Sequence, residues 1–296
     1  MPPETIDTSI PSLQRLAKRG RWLVVSTVAS SKAGHVGGPL SAMDLLVTLF
    51  FAELRIRPDD PTWPDRDRFV LSKGHAAIGL YVVMALRGFL PVDELATFDK
   101  GDSRLQGHPD MTKLPGVDMS TGSLGQGLSV GVGMALGARL AERAPHTWVL
   151  LGDGELQEGM VWEAIHTAGR YGLGNLTAIV DCNGLQQFGW PAGVDDRGDR
   201  RDPWAGVDLA RAFDAFGWRV IELDGHDFEQ VASAYKTARS AADGDRPTVL
   251  LARTTKGKGL SFAEGRHTWH TGLATDEELA RARVELDVED LSGGDQ

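Results

Sequence analysis

The sequence predicts an α/β protein built on a parallel β-sheet with helices on both faces, a three-layer αβα arrangement. The apolar run at residues 148–151 has the composition of a buried strand, and a second such run follows at residues 176–180. A helical pattern from about residue 156 to 170 separates them, and Gly172 and Gly174 end it. A crossover of this length joins parallel strands, so these segments form a βαβ unit.

Polar residues follow both predicted strands. Asp153 lies between Gly152 and Gly154 after the first strand, and Asn183 follows the second. In such sheets ligands bind beyond the carboxyl ends of the strands, so both side chains face one crevice. An Asp, an Asn and a backbone carbonyl such as that of Leu185 would suffice to hold Mg²⁺, and the glycines let the backbone approach a diphosphate. A tight strand-to-helix turn is the alternative for the Gly-Asp-Gly triplet alone.

The N-terminal half supplies further helices and a short strand. We predict a helix at residues 12–31, and an apolar helix at residues 42–52 that Ser41 caps at its N-terminus. A strand at residues 69–71 leads into a helix at residues 76–87 that is apolar on nearly all sides and therefore buried.

The remaining elements alternate between helices and strands. Helices are predicted at residues 128–142, 205–216, 228–242 and 276–286, and strands at residues 218–223 and 248–253. Glycines at positions 127, 131, 133 and 137 weaken the first of these helices, which indicates close packing of a ligand or another backbone there. Packing within the chain or contacts in a dimer would explain them equally well. A polar loop is predicted at residues 188–204.

The composition limits the possible functions. Of 296 residues 42% are hydrophobic and 24% charged, which is enough for a sizeable core. The formal charge is −10, so a nucleic-acid-binding or anionic-membrane surface is not expected. Cys182 is the only cysteine, which excludes an internal disulfide and a cysteine-based zinc site.

The chain is expected to form one domain at residues 12–290, with a loose N-terminal arm at 1–11 and a short tail at 291–296. No basic-apolar signal sequence and no apolar run long enough to span a bilayer is evident, so we expect a cytoplasmic protein.

Several turns carry basic residues that could bind an anion. His35 lies in a glycine-rich turn, Lys73 and His75 follow a predicted strand, and Lys256 and Lys258 occupy a glycine-rich turn after the last strand. Each of them could instead be an ordinary solvated or helix-start residue. The segment at residues 98–119, which contains His108, has no clear periodicity, and a loop of this length is often functional.

Taken together, these segments resemble the transketolase family. The segment GDGELQEG, followed by VDCNGLQ, is similar to the family's thiamine-diphosphate motif and contains neither G-x-G-x-x-G nor Gly-Lys-Ser/Thr. The segments AGHVGGPLS, LSKGHAA, GHPD, TGSLGQG, and TTKGKG with TWH occur in the family's order. The resemblance extends from about residue 13 to 286, with a valine at position 36 where the family often has proline.

The resemblance implies roles for the matching residues. The divalent ion, Mg²⁺ or another such as Ca²⁺ or Mn²⁺, would be held by Asp153, Asn183 and the Leu185 carbonyl. Thiamine diphosphate would contact Lys73, His75, Gly122, Ser123, Leu124, Gly152, Asp153, Gly154, Glu155, Asn183, Leu185, Lys256 and His270. Sugar hydroxyls and the reacting carbonyl would face His35, His75 and His108, and Glu158 would join the carboxylate network between two active sites. His35, His75, His108, His270 and Glu158 are thus the expected catalytic residues.

The resemblance also implies a partner. A full transketolase has a pyrimidine-binding domain and a third domain after the part matched here. We therefore expect the N-terminal subunit of a split transketolase that is active only with a second chain, in an α2β2 assembly. It would transfer a two-carbon ketol unit from a ketose or its phosphate to an aldose. The alternatives are a deoxyxylulose-phosphate synthase-like or 2-oxo-acid dehydrogenase component, or a non-catalytic cofactor-binding subunit.

Overall fold

A parallel five-stranded sheet lies at the centre of the protein. The computed structural model describes residues 6–187, 204 and 207–288. The strands are β1 (Arg68–Leu71), β2 (Thr147–Gly152), β3 (Leu176–Cys182), β4 (Arg219–Asp224) and β5 (Thr248–Arg253). They pair in the order β1-β2-β3-β5-β4, and every neighbouring pair is parallel. The predicted βαβ unit is therefore confirmed as the centre of the sheet.

Helices cover both faces of the sheet, which confirms the three-layer αβα prediction. They are α1 (Ile10–Ser31), α2 (Gly37–Thr48), α3 (Ala77–Leu86), α4 (Gln126–Leu140), α5 (Gly159–Arg170), α6 (Leu209–Ala215), α7 (Phe228–Ser240) and α8 (Asp276–Glu285). Side chains of a strand alternate between two cores: Trp148 and Leu150 of β2 pack with α1, α2, α3, α7 and α8. Val149 and Leu151 pack with α4, α5 and α6 on the other face.

The start of α2 differs from the prediction that Ser41 is its N-cap. The helix begins four residues earlier, at Gly37, and Ser41 lies inside it with no exposed surface. Pro39 is tolerated because it lies in the first helical turn, where the missing N–H has no partner to lose. The Ser41 hydroxyl instead donates to the carboxylate of Asp181 at 2.6 Å.

The helix predicted at residues 156–170 is interrupted. Residues Gly154–Gln157 form a 3₁₀ turn, Glu158 is extended, and α5 starts only at Gly159. The Asp153 side chain accepts from the Gly154 N–H and so caps the turn, which explains the earlier start.

Other boundaries move by a few residues. The first helix starts at Ile10, within the predicted arm, and the helix predicted at 42–52 ends in a π-turn at Leu49–Glu53. The helix predicted from residue 205 begins at Leu209, because Asp208 caps it through the N–H of Arg211. Most of the predicted loop at 188–204, the first five residues of the arm and the tail at 291–296 lie outside the described residues.

The division into arm, domain and tail therefore stays a prediction. Within the described ranges, none of the helices is both long and apolar enough to cross a bilayer.

Candidate active site

The carboxyl ends of the strands, together with the start of α2, enclose a cavity of about 440 Å³. Most of the residues predicted from the sequence line it: His35, Lys73, His75, His108, Gly122, Leu124, Gly152, Asp153, Gly154, Glu155, Glu158, Asn183, Leu185, Lys256 and His270. Ser123 is not among the lining residues. The lining also includes Gly38, Gln186 and Gln187, which the sequence reasoning missed although each adjoins a recognised motif.

Asp153 is held in place by backbone donors. Its Oδ1 accepts from the Gly154 N–H at 2.8 Å and its Oδ2 from the Gly184 N–H at 2.7 Å. The residue is 5% exposed, and burial together with the charge of Asp181 raises the pKa of its carboxyl to about 6. A buried carboxylate with a raised pKa is well suited to a nearby cation.

Asn183 and Leu185 present oxygen atoms to the same cavity. Asn183 Oδ1 accepts from the Leu185 N–H at 3.1 Å, which fixes the amide orientation. Lys256 Nζ donates to the carbonyls of Leu185 and Gln186, each at 3.1 Å, and lies 3.1 Å from His270 Nδ1. Burial and the charge of Lys73 lower the pKa of Lys256 to about 8.

A buried ion pair supports this edge of the sheet. Lys73, after β1, contacts Asp181 at the end of β3, and the two residues are 1% and 0% exposed. Asp181 also accepts from the hydroxyls of Ser41 and Thr254. Burial alone would raise the pKa of Asp181, but these donors and the Lys73 charge hold it below its usual value. The sequence reasoning missed Asp181 and Ser41; a charged residue within an apolar strand was the available signal.

Four histidines converge on the cavity. The ring of His35 lies 5.2 Å from His75, 6.1 Å from His108 and 5.0 Å from His270 between centroids, and His75 lies 5.0 Å from His270. Burial, aided by neighbouring positive groups, lowers the pKa of His35 to about 4 and that of His270 to about 3, and lowers that of His75 well below its usual value. These three rings are neutral at neutral pH, so they can exchange protons with hydroxyl groups.

Glu155 is a positioning residue in the structure. Its Oε1 accepts from the Ser72 hydroxyl at 2.5 Å and the Gly125 N–H at 2.8 Å, and its Oε2 from the Gly152 N–H at 3.2 Å. The carboxylate thus ties together the ends of β1 and β2 and the start of α4. Glu158, in contrast, is exposed at the cavity rim.

The loop with His108 packs tightly against Gly122. A Cβ atom at Gly122, whose φ is +153°, would lie 3.0 Å from the His108 ring. Only glycine fits both this backbone conformation and this contact. The Tyr81 hydroxyl lies 3.0 Å from the Gln106 carbonyl and 3.2 Å from that of His108, which fixes the same loop from beneath.

The cavity suits a polar, anionic cofactor. His35 Nδ1 and Gln186 Nε2 are buried, and neither has a hydrogen-bond partner within the described part of the chain. Unpaired buried polar atoms call for a ligand or water. The two lysines and the backbone at Gly154 supply the positive charge and close approach that a diphosphate needs.

Comparison with known proteins agrees with this geometry. The family described as "Transketolase, thiamine diphosphate binding domain" matches residues 12–292. One of the two subunits of the apulose-4-phosphate transketolase of Phocaeicola vulgatus is 39% identical over 277 residues, with 94% of each chain covered. The 6-deoxy-6-sulfo-D-fructose transketolase subunit SqwG of a Clostridium species is 39% identical over 278 residues, covering 94% of this chain and 97% of that one.

A solved structure shows the same fold within a longer chain. The transketolase of Campylobacter jejuni superposes with a TM-score of 0.84 at 32% identity, and the match covers 94% of this chain. It covers only 43% of the Campylobacter chain. The family resemblance and the fold predicted from the sequence are both confirmed. The chain therefore belongs to the transketolase family, of which it forms the thiamine diphosphate-binding domain.

Proposed function

We propose that this chain is the diphosphate-binding subunit of a two-chain transketolase, which transfers a two-carbon ketol unit from a ketose or ketose phosphate to an aldose. One observation carries the proposal: four histidines, two lysines and the Asp153–Asn183 pair converge on a single cavity. The histidine cluster supplies what a polyhydroxylated substrate requires, namely several neutral proton acceptors side by side.

The cofactor is held at its diphosphate end by this chain. Lys73 and Lys256 neutralise the diphosphate, Gly154 allows it to approach the backbone, and Leu124, which is 39% exposed, packs against its rings. When bound, thiamine diphosphate supplies the nucleophilic carbon that reacts with a ketose carbonyl. Gly122, Ser123, Gly152 and Glu155 complete the shell around it, Glu155 by holding the strand ends in register.

A divalent cation accompanies the diphosphate. Asp153, Asn183 and the Leu185 carbonyl are hard oxygen donors of the kind that Mg²⁺, Ca²⁺ or Mn²⁺ prefers. Across the described residues, no group of three or more His, Cys, Asp or Glu side chains could hold a metal. The cation is therefore bound jointly by the protein and the diphosphate oxygens, the usual arrangement for magnesium.

The histidines act on the substrate. His35 and His108, with His75, accept protons from the sugar hydroxyls and from the carbonyl undergoing change, and His270 lies between Lys256 and His35. Neutral imidazoles suit this task because they can both take up and return a proton near neutral pH.

The second chain binds at an exposed apolar face beside the cavity. This face includes Leu124 and Met160, each 39% exposed, and Leu140, which is 85% exposed. Cβ atoms at Gly133 and Gly137 on α4 would meet nothing within 4 Å, whereas those at Gly127 and Gly131 would meet Ser72 and Val149 within 2.5 Å. Two glycines of α4 therefore pack inside the chain, and the other two leave a flat surface for the partner.

The partner carries the pyrimidine-binding domain, in an α2β2 assembly in which Glu158 joins the carboxylates between active sites. The two relatives described above are named as subunits, which supports a two-chain enzyme. Their names also suggest donors, apulose 4-phosphate and 6-deoxy-6-sulfo-D-fructose.

Reconstitution tests the proposal. The chain is co-purified with its pyrimidine-domain partner and supplied with Mg²⁺, thiamine diphosphate, a panel of ketose donors including these two, and aldose acceptors. We expect transfer to an aldose only when both chains and the cofactor are present. Turnover of pyruvate but of no ketose would assign the pair to another thiamine-dependent class, and full activity of either chain alone would contradict the two-chain enzyme.

A further inference from the structure

A buried histidine behind the cavity contacts the backbone next to Lys256. His226 lies in the turn between β4 and α7, and its Nε2 is 2.8 Å from the Thr255 nitrogen. Its Nδ1 is 2.7 Å from Asp44 Oδ2. Neither atom reaches the cavity, and the sequence reasoning assigned this turn only to the capping of α7, which Asp227 performs alone.

The two contacts define the protonation of the ring. A backbone N–H can only donate, so Nε2 must be the bare acceptor, and Nδ1 therefore carries the proton and donates to Asp44. Asp44 is 3% exposed on α2 and also accepts from Arg21 Nη2 at 2.7 Å. Burial alone would raise the pKa of Asp44, but Arg21 and His226 hold it below its usual value, so the carboxylate stays charged.

The same turn is braced by its neighbours. The Gly225 N–H donates to the Arg253 carbonyl at 2.7 Å, and the Gly257 N–H to the Gly37 carbonyl at 3.0 Å. A Cβ atom at Gly225 would lie 2.5 Å from Thr254 Cγ2. Residues 254–257 are thus clamped between the 224–227 turn and the start of α2, and His226 supplies the one side-chain contact to the Thr255 N–H.

We propose that His226, held by Asp44 with its proton on Nδ1, is a positioning residue that fixes the turn at residues 254–256 and so aims Lys256 into the cofactor cavity. The inference rests on the proposed function only in taking Lys256 as a diphosphate contact. His226 touches neither substrate nor cofactor and acts through the Thr255 N–H.

Two amide replacements separate the two hydrogen bonds of the ring. In His226→Gln the side-chain oxygen reaches the place of Nε2 and can still accept from the Thr255 N–H. In His226→Asn the amide occupies the place of Nδ1 and can contact only Asp44. Both remove the ring and its titration, and His166→Ala on the surface is the control for loss of a histidine.

The first readout needs no cofactor. Amide hydrogen exchange in the full chain should rise about tenfold at Thr255 in His226→Asn, the effect of losing one ordinary hydrogen bond, and stay close to wild type in His226→Gln. Nitrogen NMR of the histidine-labelled chain should show His226 protonated at Nδ1 and bare at Nε2. A ring protonated at Nε2, or equal exchange at Thr255 in all variants, overturns the inference.

The second readout is calorimetric affinity for thiamine diphosphate in the assembled complex. We expect His226→Asn to weaken it about tenfold and His226→Gln to restore it. Weakening by both variants equally would show that the ring matters only for packing and would overturn the inference. If the wild-type complex binds no cofactor, the proposed function fails, while the exchange and NMR results still decide the role of His226.

Discussion

The ammonium of Lys73 lies against the carboxylate of Asp181 in the interior of the protein, where the two residues are 1% and 0% exposed. The pair connects the end of β1 to the end of β3, and the hydroxyls of Ser41 and Thr254 bind the same carboxylate. The floor of the cofactor cavity is thus organised by a charge pair that water does not reach. Such a pair is costly to break because the remaining charge is left buried and uncompensated.

We therefore expect Asp181→Asn to lower the free energy of unfolding by about 3 kcal/mol or more. Asn keeps the shape of the side chain but leaves the Lys73 ammonium without its counter-charge. Thermal or urea unfolding of the chain measures the loss. The double variant Lys73→Met with Asp181→Asn removes both charges and should recover part of it; a double variant as unstable as the sum of the single ones would show that the pair is not coupled.

A second prediction concerns Asp153. Asp153→Ala should abolish Mg²⁺-dependent binding of thiamine diphosphate in the reconstituted complex, because it removes the proposed carboxylate ligand. The unfolding temperature should stay equal or rise, since the raised pKa shows that the ionised carboxylate is disfavoured in the folded chain above about pH 6. Calorimetry gives the affinity, and Asp243→Ala, an exposed acid, is the control. Unchanged affinity in Asp153→Ala would remove the metal assignment.

His108 provides the test of substrate contact. We expect His108→Ala to leave cofactor affinity unchanged and to lower turnover about 100-fold, the typical contribution of a proton-transferring group. Tyr81→Phe removes the hydroxyl that contacts the Gln106 and His108 carbonyls, and it should lower turnover less. Steady-state kinetics with a ketose donor, together with calorimetry, separates the two effects. Unchanged ketose cleavage by His108→Ala would count against its substrate role.

The strand ends were predictable because a buried strand, a glycine-bounded carboxylate and a helix follow one another locally, as around Asp153. The motifs flanking each strand end then identified nearly all the cavity residues. What could not be predicted depends on pairing across long separations: Ser41 reads as a helix cap locally, yet its partner Asp181 lies 140 positions further on. His226 likewise reads as part of a helix start, and only the folded chain brings it to Thr255.

Acid stability should depend on a buried histidine far from the cavity. His146 is 1% exposed, stacks on Trp148 with centroids 4.5 Å apart, and bonds to Thr177. Burial and the charge of Arg239 lower its pKa to about 3. Between its usual value of 6.5 and about 3, the unfolded chain binds the proton and the folded chain does not. Stability is therefore complete above this window and falls as the pH falls through it, by up to about 1.4 kcal/mol per unit.

His146→Gln keeps a hydrogen-bonding group towards Thr177 without a titrating ring. We expect its unfolding temperature to fall less than that of the wild type between pH 7 and pH 5. Asp153 and Glu155, whose pKa values are raised, oppose the slope equally in both proteins. His166→Gln, on the surface, should behave as wild type. An equal slope in His146→Gln would show that His146 does not contribute to acid unfolding.

The proposed partner face makes opposite predictions for stability and assembly. Gly133 on α4 is exposed, and a Cβ atom there would meet nothing within 4 Å. Gly133→Ala and Gly133→Lys should each stabilise the isolated chain by up to about 1 kcal/mol, because both residues form helix better than glycine. Lysine should nevertheless weaken assembly with the pyrimidine-domain chain at least tenfold, about the effect of losing a central interface contact, because its bulk and charge would be buried. Co-elution and binding titration measure assembly, and alanine, which adds one methyl group, should weaken it much less. If the lysine variant assembles normally, the partner does not cover this part of α4.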